Sequence, residues 1–314
     1  MKLNINYIKR TVYTAALATL SATASNASEP IVIPPLFEYA EAPDTMQNLQ
    51  DRSNYLVRNF WSKMDFKSKK AVDQNALNDA MTRFTAPMRY ADSEVAEEAV
   101  TNLFASLKGN PVLTLQITKA AEEALYSPRA TFWNDELYLR FIDNLLSNKT
   151  LKKERKLRYE RHKKLIADCT PGNPLPEFKY MTANGKEETF APSGQITVIE
   201  FGNPDCDDCR HAKLKMETNV RFDRLVTDGK IKVYFIDTNA EEGWQKALSE
   251  YPANWTSGAC ADADDIFDLR FTPSFYVLDR NGNLVVKNAD SATAMAIAVG
   301  GAGTIGNEPQ QNSN

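Results

Sequence analysis

Apolar positions recur at spacings of three and four along the first half of the chain, and in the second half they gather into short β-branched runs. From Asp44 to Ala167 the helical period dominates. Leu49, Leu56, Phe60 and Trp61 form one apolar stripe, with Asp44 and Gln47 spaced like a capping box at its start. Asn75 to Tyr90 reads as a second helix. Asp92 and Ser93 offer caps for a third, which ends at Gly109. Asn110-Pro111 restarts the chain with proline in the first helical turn. Asn134-Asp135-Glu136 opens another helix, with Leu137, Phe141, Leu145 and Leu146 turned inward. About five helices over residues 44–168 make an all-α helical domain. No internal repeat interrupts them.

The stretch Lys149 to Lys164 holds nine Lys or Arg, two Glu and one His. Such a run can dock an acidic partner or lipid headgroups. Its simpler reading is the solvated side of a helix joining two domains, with Leu151, Leu157 and Leu165 touching protein.

The pattern changes at Cys169-Thr-Pro-Gly-Asn-Pro-Leu-Pro176, a linker over residues 169–177. Phe178 to Phe190 then reads as a hairpin turning at Asn184-Gly185. Ile196 to Phe201 is a buried strand broken by Gly202, Asn203 and Pro204, and Arg210 to Phe222 is rich in helix formers. Lys230 to Asp237 is a strand, followed by helices over Glu241 to Tyr251 and Asp262 to Leu269. Pro273 to Asp279 is a strand that turns at Asn281-Gly282 into Leu284 to Lys287, and Asp290 to Val299 closes with a helix. Residues 178–299 are therefore an α/β domain with a mixed central sheet flanked by helices. The glycine-, asparagine- and glutamine-rich tail 300–314 reads as disordered.

The beginning of the chain has a different character. Lys2, Lys9 and Arg10 precede a small-residue and apolar stretch, Thr11 to Ser25, with Ser25-Asn-Ala27 as a cleavage site. Residues 1–27 read as an export signal and 28–43 as an extended, proline-rich lead-in. The apolar stretch is shorter than the ~20 residues that span a bilayer, and no other stretch qualifies, so no transmembrane segment is expected in the mature chain. No cysteine stands near the cut to carry a lipid. Taking three basic residues from 37 leaves 34 against 41 acidic ones, a formal −7. That balance argues against nucleic acid as a partner. The expected location is periplasmic or secreted, where a dithiol with a task is favoured over structural zinc.

Candidate chemistry lies in Cys206-Asp207-Asp208-Cys209. Two cysteines three apart in a first helical turn share one face and can close a short disulfide. The first also sits where unpaired N–H groups and the helix dipole favour a thiolate. Cys206 is therefore the expected nucleophile and Cys209 the resolving thiol.

With these features in place, residues 172–299 resemble the thioredoxin fold. They look most like the extracytoplasmic thiol–disulfide oxidoreductases of the TlpA and ResA type. The dithiol follows a strand, Thr272-Pro273 precedes another strand, and Glu200 stands six residues before Cys206. Pro273 lies 67 positions after Cys206, which leaves room for the extra helix and strand of that group. The helical region 34–168, with its Asn54-Tyr-Leu-Val-Arg-Asn-Phe-Trp61 stretch, resembles the uncharacterised helical domain found before such thioredoxin domains in some bacterial envelope proteins.

The resemblance implies roles. Cys206 would attack a substrate disulfide, Cys209 would release the mixed disulfide, and Glu200 would relay a proton through nearby water. Pro273, if cis, would hold the Thr272 backbone beside the dithiol for a substrate peptide to pair with. Glu200 has a structural alternative, a salt-bridge partner in the core. The partners implied are a protein disulfide or dithiol and an upstream electron donor. No cofactor or metal is expected, although His211 with Cys206, Cys209 and Cys260 is a conceivable metal set.

Asp205 replaces the usual tryptophan before the dithiol, and Asp-Asp replaces Gly-Pro within it. Three carboxylates should raise the Cys206 pKa and favour a reductant or isomerase-like role. Cys169 and Cys260 stay open: paired together, serving the dithiol, or free. A peroxidase reading lacks its threonine, since Asn203-Pro204-Asp205 stands before Cys206. The reading from another class is a non-catalytic envelope binding module with a vestigial thioredoxin fold.

Overall fold

Helical periodicity in the first half becomes six α-helices in the computed structural model, which describes residues 33–68 and 72–303. They are α1 (Leu49–Asn59), α2 (Gln74–Thr85), α3 (Ser93–Ser106), α4 (Pro111–Leu125), α5 (Asp135–Ser147) and α6 (Leu157–Asp168). Their apolar stripes meet in one core around Leu77, Phe84, Ile117, Tyr138 and Phe141.

Most starts fall where cap residues were read. Asn110 and Asn134 accept the N–H groups of Leu113 and Leu137 at 3.1 and 2.9 Å. The first helix differs. Its cap is Asn48, which accepts from both Gln50 and Asp51 at 2.8 and 3.1 Å, while the Asp44 carbonyl only receives the Gln47 side chain. The turn that follows Pro43 uses up the earlier residues. Proline at 87 also ends α2 early, because it has no N–H for the helical ladder, and residues 86–89 tighten to a 3-10 turn. In α6, Leu157 faces water, at 51% exposure, against expectation. The buried stripe is instead Tyr159, His162, Leu165 and Ile166, and Leu157 lies on the far side of the first turn.

The second half is a seven-stranded mixed sheet. Its strands are β1 (Lys179–Thr182), β2 (Glu187–Thr189), β3 (Ile196–Gly202), β4 (Ile231–Asp237), β5 (Thr256–Ala259), β6 (Ser274–Leu278) and β7 (Leu284–Ala289). They lie in the order β2-β1-β5-β4-β3-β6-β7, with β3, β4 and β5 parallel. Helices α7 (Asp207–Thr218), α8 (Val220–Thr227) and α11 (Ser291–Gly303) pack on one face; α9 (Trp244–Leu248) and α10 (Ala263–Ile266) are single turns. This is the thioredoxin-like fold, behind an all-α region.

Three elements depart from expectation. The helix after the dithiol breaks at Asn219, whose side chain caps α8 by accepting from Phe222 at 3.1 Å. Strand β5 has no hydrophobic pattern. Its Gly258 is required by close packing, since a Cβ there would stand 2.4 Å from the Tyr180 ring on β1. Finally, α11 runs on to Gly303, so residues 300–303 are helical, with Arg280 donating to the Gly301 carbonyl at 3.1 Å. The export signal and residues 304–314 lie outside the described residues.

The two halves belong to one unit that starts at Pro35. Buried charges join them. Asp268 and Asp135 share Arg270 and Lys287: Lys287 stands 2.5 Å from Asp268 and 2.8 Å from Asp135. Arg270 pairs with both carboxylates, and its side chain is 2% exposed. Tyr126 from α4 adds a hydrogen bond to Asp268 at 2.7 Å.

Candidate active site

The site is built on β3. Alternation along this fully buried strand sends Ile196, Val198 and Glu200 toward α7 and α11, and Ile199 and Phe201 to the opposite core. In the sheet register Glu200 is flanked by Phe235 on β4 and Phe275 on β6. Its carboxylate is 0% exposed, and neither oxygen has a hydrogen-bond partner among the described residues. Burial pushes its pKa up to about 8, opposed by the Lys213 ammonium. The alternative of a paired structural acid is not what the core holds.

Cys206 is the N-cap of α7. Its backbone is extended and its sulfur accepts the Cys209 N–H at 3.3 Å. One turn in, Cys209 is fully buried and accepts the Asn203 N–H at 3.5 Å. Burial pushes the Cys209 thiol well above the usual thiol range; the Asn203 N–H opposes this, and neighbouring Cys206 and Glu200 add to it. Cys206 is only partly buried, so one sulfur meets solvent and the other waits beneath it. Gly202 makes room for this arrangement: a Cβ there would lie 3.1 Å from the Cys209 sulfur and 3.6 Å from a Glu200 oxygen. Of the three neighbouring aspartates, Asp207 is ion-paired with Arg210, which offsets part of the negative field.

Facing the dithiol helix is the segment before β6. The Thr272–Pro273 peptide bond is cis. Asn288 on β7 braces this segment. Its Oδ1 accepts from the Arg270 N–H at 3.1 Å and the Ser274 hydroxyl at 2.9 Å, and its Nδ2 donates to the Asp268 carbonyl at 2.8 Å. Asn288 adopts a positive φ of 51°, which asparagine tolerates better than most residues. Sequence reasoning missed it, because an asparagine closing a Leu-Val-Val-Lys run signals only a strand end. Between α7 and this segment lies a cleft of about 590 Å³, lined by His211, Leu214, Lys215, Phe271, Thr272 and Pro273 among others.

The structure thus brings Cys206, Cys209 and Glu200 together, with Thr272 and Pro273 across the cleft from α7. It does not bring Cys169 or Cys260 to them. Both are buried in the core on the other face of the sheet, and Cys260 donates to the Asp262 carboxylate at 3.2 Å. Burial pushes the Cys260 thiol up to about 12 and raises that of Cys169. All four cysteines are unpaired. His211 is exposed at the rim of the cleft, and among the described residues no three His, Cys, Asp or Glu side chains are grouped to hold a metal ion. Tyr251 and Trp255 are core residues, Tyr251 stacking on Phe235 with centroids 3.9 Å apart.

Comparison with known proteins agrees with this architecture. A family model described as a domain of unknown function, DUF5106, matches residues 11–168. A thioredoxin-like protein from Bacteroides caccae superposes with a TM-score of 0.70 at 19% identity, covering 85% of this chain and 99% of its own. The thioredoxin domain of a thiol-disulfide oxidoreductase from Bacteroides vulgatus gives a TM-score of 0.36 at 18% identity, over 41% of this chain and 94% of its own. A thiol:disulfide interchange protein from Bacteroides sp. gives 0.38 at 16%, over 46% and 99%. No curated protein matches the chain.

Proposed function

The chain belongs to the DUF5106 family, and we propose that it is an extracytoplasmic thiol–disulfide oxidoreductase that reduces or isomerises protein disulfides. One observation carries this reading. A partly buried sulfur caps a helix over a fully buried second sulfur, and that second sulfur stands beside a buried carboxyl group without a hydrogen-bond partner among the described residues.

The reaction is written in two exchanges. The Cys206 thiolate attacks one sulfur of the substrate disulfide. The substrate S–S bond breaks, a Cys206–substrate disulfide forms, and the leaving thiolate takes a proton from solvent. Cys209 then gives up its proton and attacks Cys206, which releases the second substrate thiol. The substrate gains two electrons and two protons, and the protein is left with a Cys206–Cys209 disulfide that an upstream dithiol must reduce. Glu200 serves the second exchange, accepting the Cys209 proton through a water, since a buried thiol needs a base at hand to ionise. A carboxyl that titrates near pH 8 suits proton exchange at neutral pH. Phe271 and Thr272 make no backbone hydrogen bond among the described residues, so this segment is free to pair with an extended substrate peptide.

The aspartates at 205, 207 and 208 support the reductant direction, because negative charge beside the dithiol favours its giving up electrons to a substrate disulfide. We assign residues 44–168 to the helical domain, 169–177 to the linker and 178–299 to the thioredoxin-like domain. Export by residues 1–27 completes the reading, and no described helix is long and apolar enough to cross a membrane.

The test uses the full chain, reduced beforehand and mixed with insulin. Turnover with dithiothreitol as donor is expected, with loss in Cys206→Ser and a stable mixed disulfide in Cys209→Ser. A wild-type chain that is inert and whose Cys206 resists iodoacetamide overturns the assignment. A reduction potential as positive as about −120 mV, that of a strong periplasmic oxidant, overturns the reductant direction alone.

A further inference from the structure

The cleft beside the dithiol helix is lined by residues of the thioredoxin-like domain, but one of its wall residues touches the helical half. Phe271, one residue before the Thr272–Pro273 pair, forms part of its wall. The indole of Trp133, from the connection between α4 and α5 in the helical half, stacks on the Phe271 ring with centroids 5.7 Å apart and planes 19° from parallel. Trp133 is 37% exposed, so a large apolar surface is offered to solvent next to the cleft. It is also held in place. Its Nε1–H donates to the Ser127 carbonyl at 2.9 Å, and the Arg270 guanidinium lies 5.3 Å from its ring centre. Two residues further on, Asp135 pairs with Lys287 and with Arg270, the residue immediately before Phe271.

An exposed tryptophan with its N–H satisfied and its ring stacked loses little side-chain freedom when something binds to it. On the opposite wall, Leu214 of α7 is 56% exposed. The cleft therefore presents an apolar surface on each side, while its charged residues, Asp208, Lys215 and Asp290 among them, are of mixed sign. A strongly basic or acidic peptide has no complement there, and a large apolar side chain does. Its position next to Thr272 is where a peptide held by a disulfide at Cys206 would run.

We propose that the helical half forms part of the substrate site. Trp133, acting with Phe271, binds a large apolar side chain flanking the cysteine of the substrate disulfide, and Asp135 positions that wall through Arg270. This deepens the oxidoreductase reading and rests on it. The helices then select which disulfides reach Cys206, and Trp133 is a specificity-determining residue.

The experiment compares two short peptide disulfides, identical except for phenylalanine or glycine beside the cysteine, as substrates of the reduced full chain. Wild type is expected to favour the phenylalanine peptide in kcat/KM. In Trp133→Ala that preference should shrink about ten-fold through a higher KM, the size expected for losing one apolar contact in a binding pocket. Trp133→Phe should restore most of it. An unchanged ratio in Trp133→Ala, or a ratio near one in wild type, overturns the proposal and leaves the oxidoreductase intact. Failure of wild type to reduce either peptide sinks the underlying reading instead. A second measurement avoids any change at position 133. In Cys209→Ser, a peptide carrying benzoylphenylalanine beside its cysteine is trapped on Cys206 and irradiated. Crosslinks to Trp133 or its loop are expected, and crosslinks confined to other surfaces overturn the proposal.

Discussion

Glu200 shows how a single position carries a cost in stability that the proposed reaction would put to use. Its carboxyl is enclosed by Phe235 and Phe275 in the register of the sheet, and burial raises its pKa to about 8. In the unfolded chain the group titrates near ~4.3. Below that value both states hold the proton and stability is unaffected. Between about 4.3 and 8 the folded state keeps a proton that the unfolded state gives up, so stability falls as pH rises, and it levels off above 8. Urea denaturation from pH 5 to pH 9 should show this decline in wild type and a flatter profile in Glu200→Gln. The same variant should slow release of substrate from Cys206, seen as accumulation of the mixed disulfide in stopped reactions. The charge on Glu200 was visible in the sequence as an acid inside an apolar strand. Its lack of a partner was not, because that depends on side chains brought together from β4 and β6.

Among elements, the legible ones carry their own signal. Asn110, Asn134 and the Asn184-Gly185 turn each satisfy or bend the backbone locally, and the structure uses all three. Elements defined by neighbours were hidden. Strand β5 exists because Gly258 lets it lie against Tyr180, and its Thr-Ser-Gly-Ala sequence has no periodicity of its own. Helix α8 is an intermediate case, since Asn219 is a cap residue but stands in an otherwise continuous run of helix formers. Replacing Asn219→Ala leaves the Phe222 N–H without its acceptor and should destabilise the protein by about 1 kcal/mol. Chemical denaturation measures this, and an unchanged midpoint would mean that packing of Phe222 alone sets the start of α8. Cys209 belongs to the same lesson. The dithiol spacing was plain in the sequence, but the burial that separates its two sulfurs comes from Gly202 on the strand below.

For the whole molecule, the main fact is the four-charge cluster that ties the helices to the sheet. Asp268 is fully buried; burial alone would raise its pKa, but Arg270 and Lys287 hold it below the usual carboxylate range. Removing its charge in Asp268→Asn leaves two buried cations with only Asp135, and should cost about 3–5 kcal/mol. That loss is read as a lower urea midpoint of the full chain. The carboxylate also links stability to acid: its contribution is present above ~3.9 and fades as pH falls below that, the reverse of the Glu200 trend. None of this was legible beforehand, because the four residues are spread over more than 150 positions and each looks like an ordinary surface charge in isolation.

Asp135 sits in the helical half, yet two of its partners, Arg270 and Lys287, sit in the sheet half. A C-terminal fragment cut free at the linker would therefore leave Arg270 and Lys287 with Asp268 as their remaining carboxylate, a net positive charge one residue from Phe271, with the Phe271 ring no longer covered by Trp133. If the proposed substrate site is right, activity assayed on such a fragment would come from a protein that is stickier toward acidic peptides and lacks the Trp133 wall.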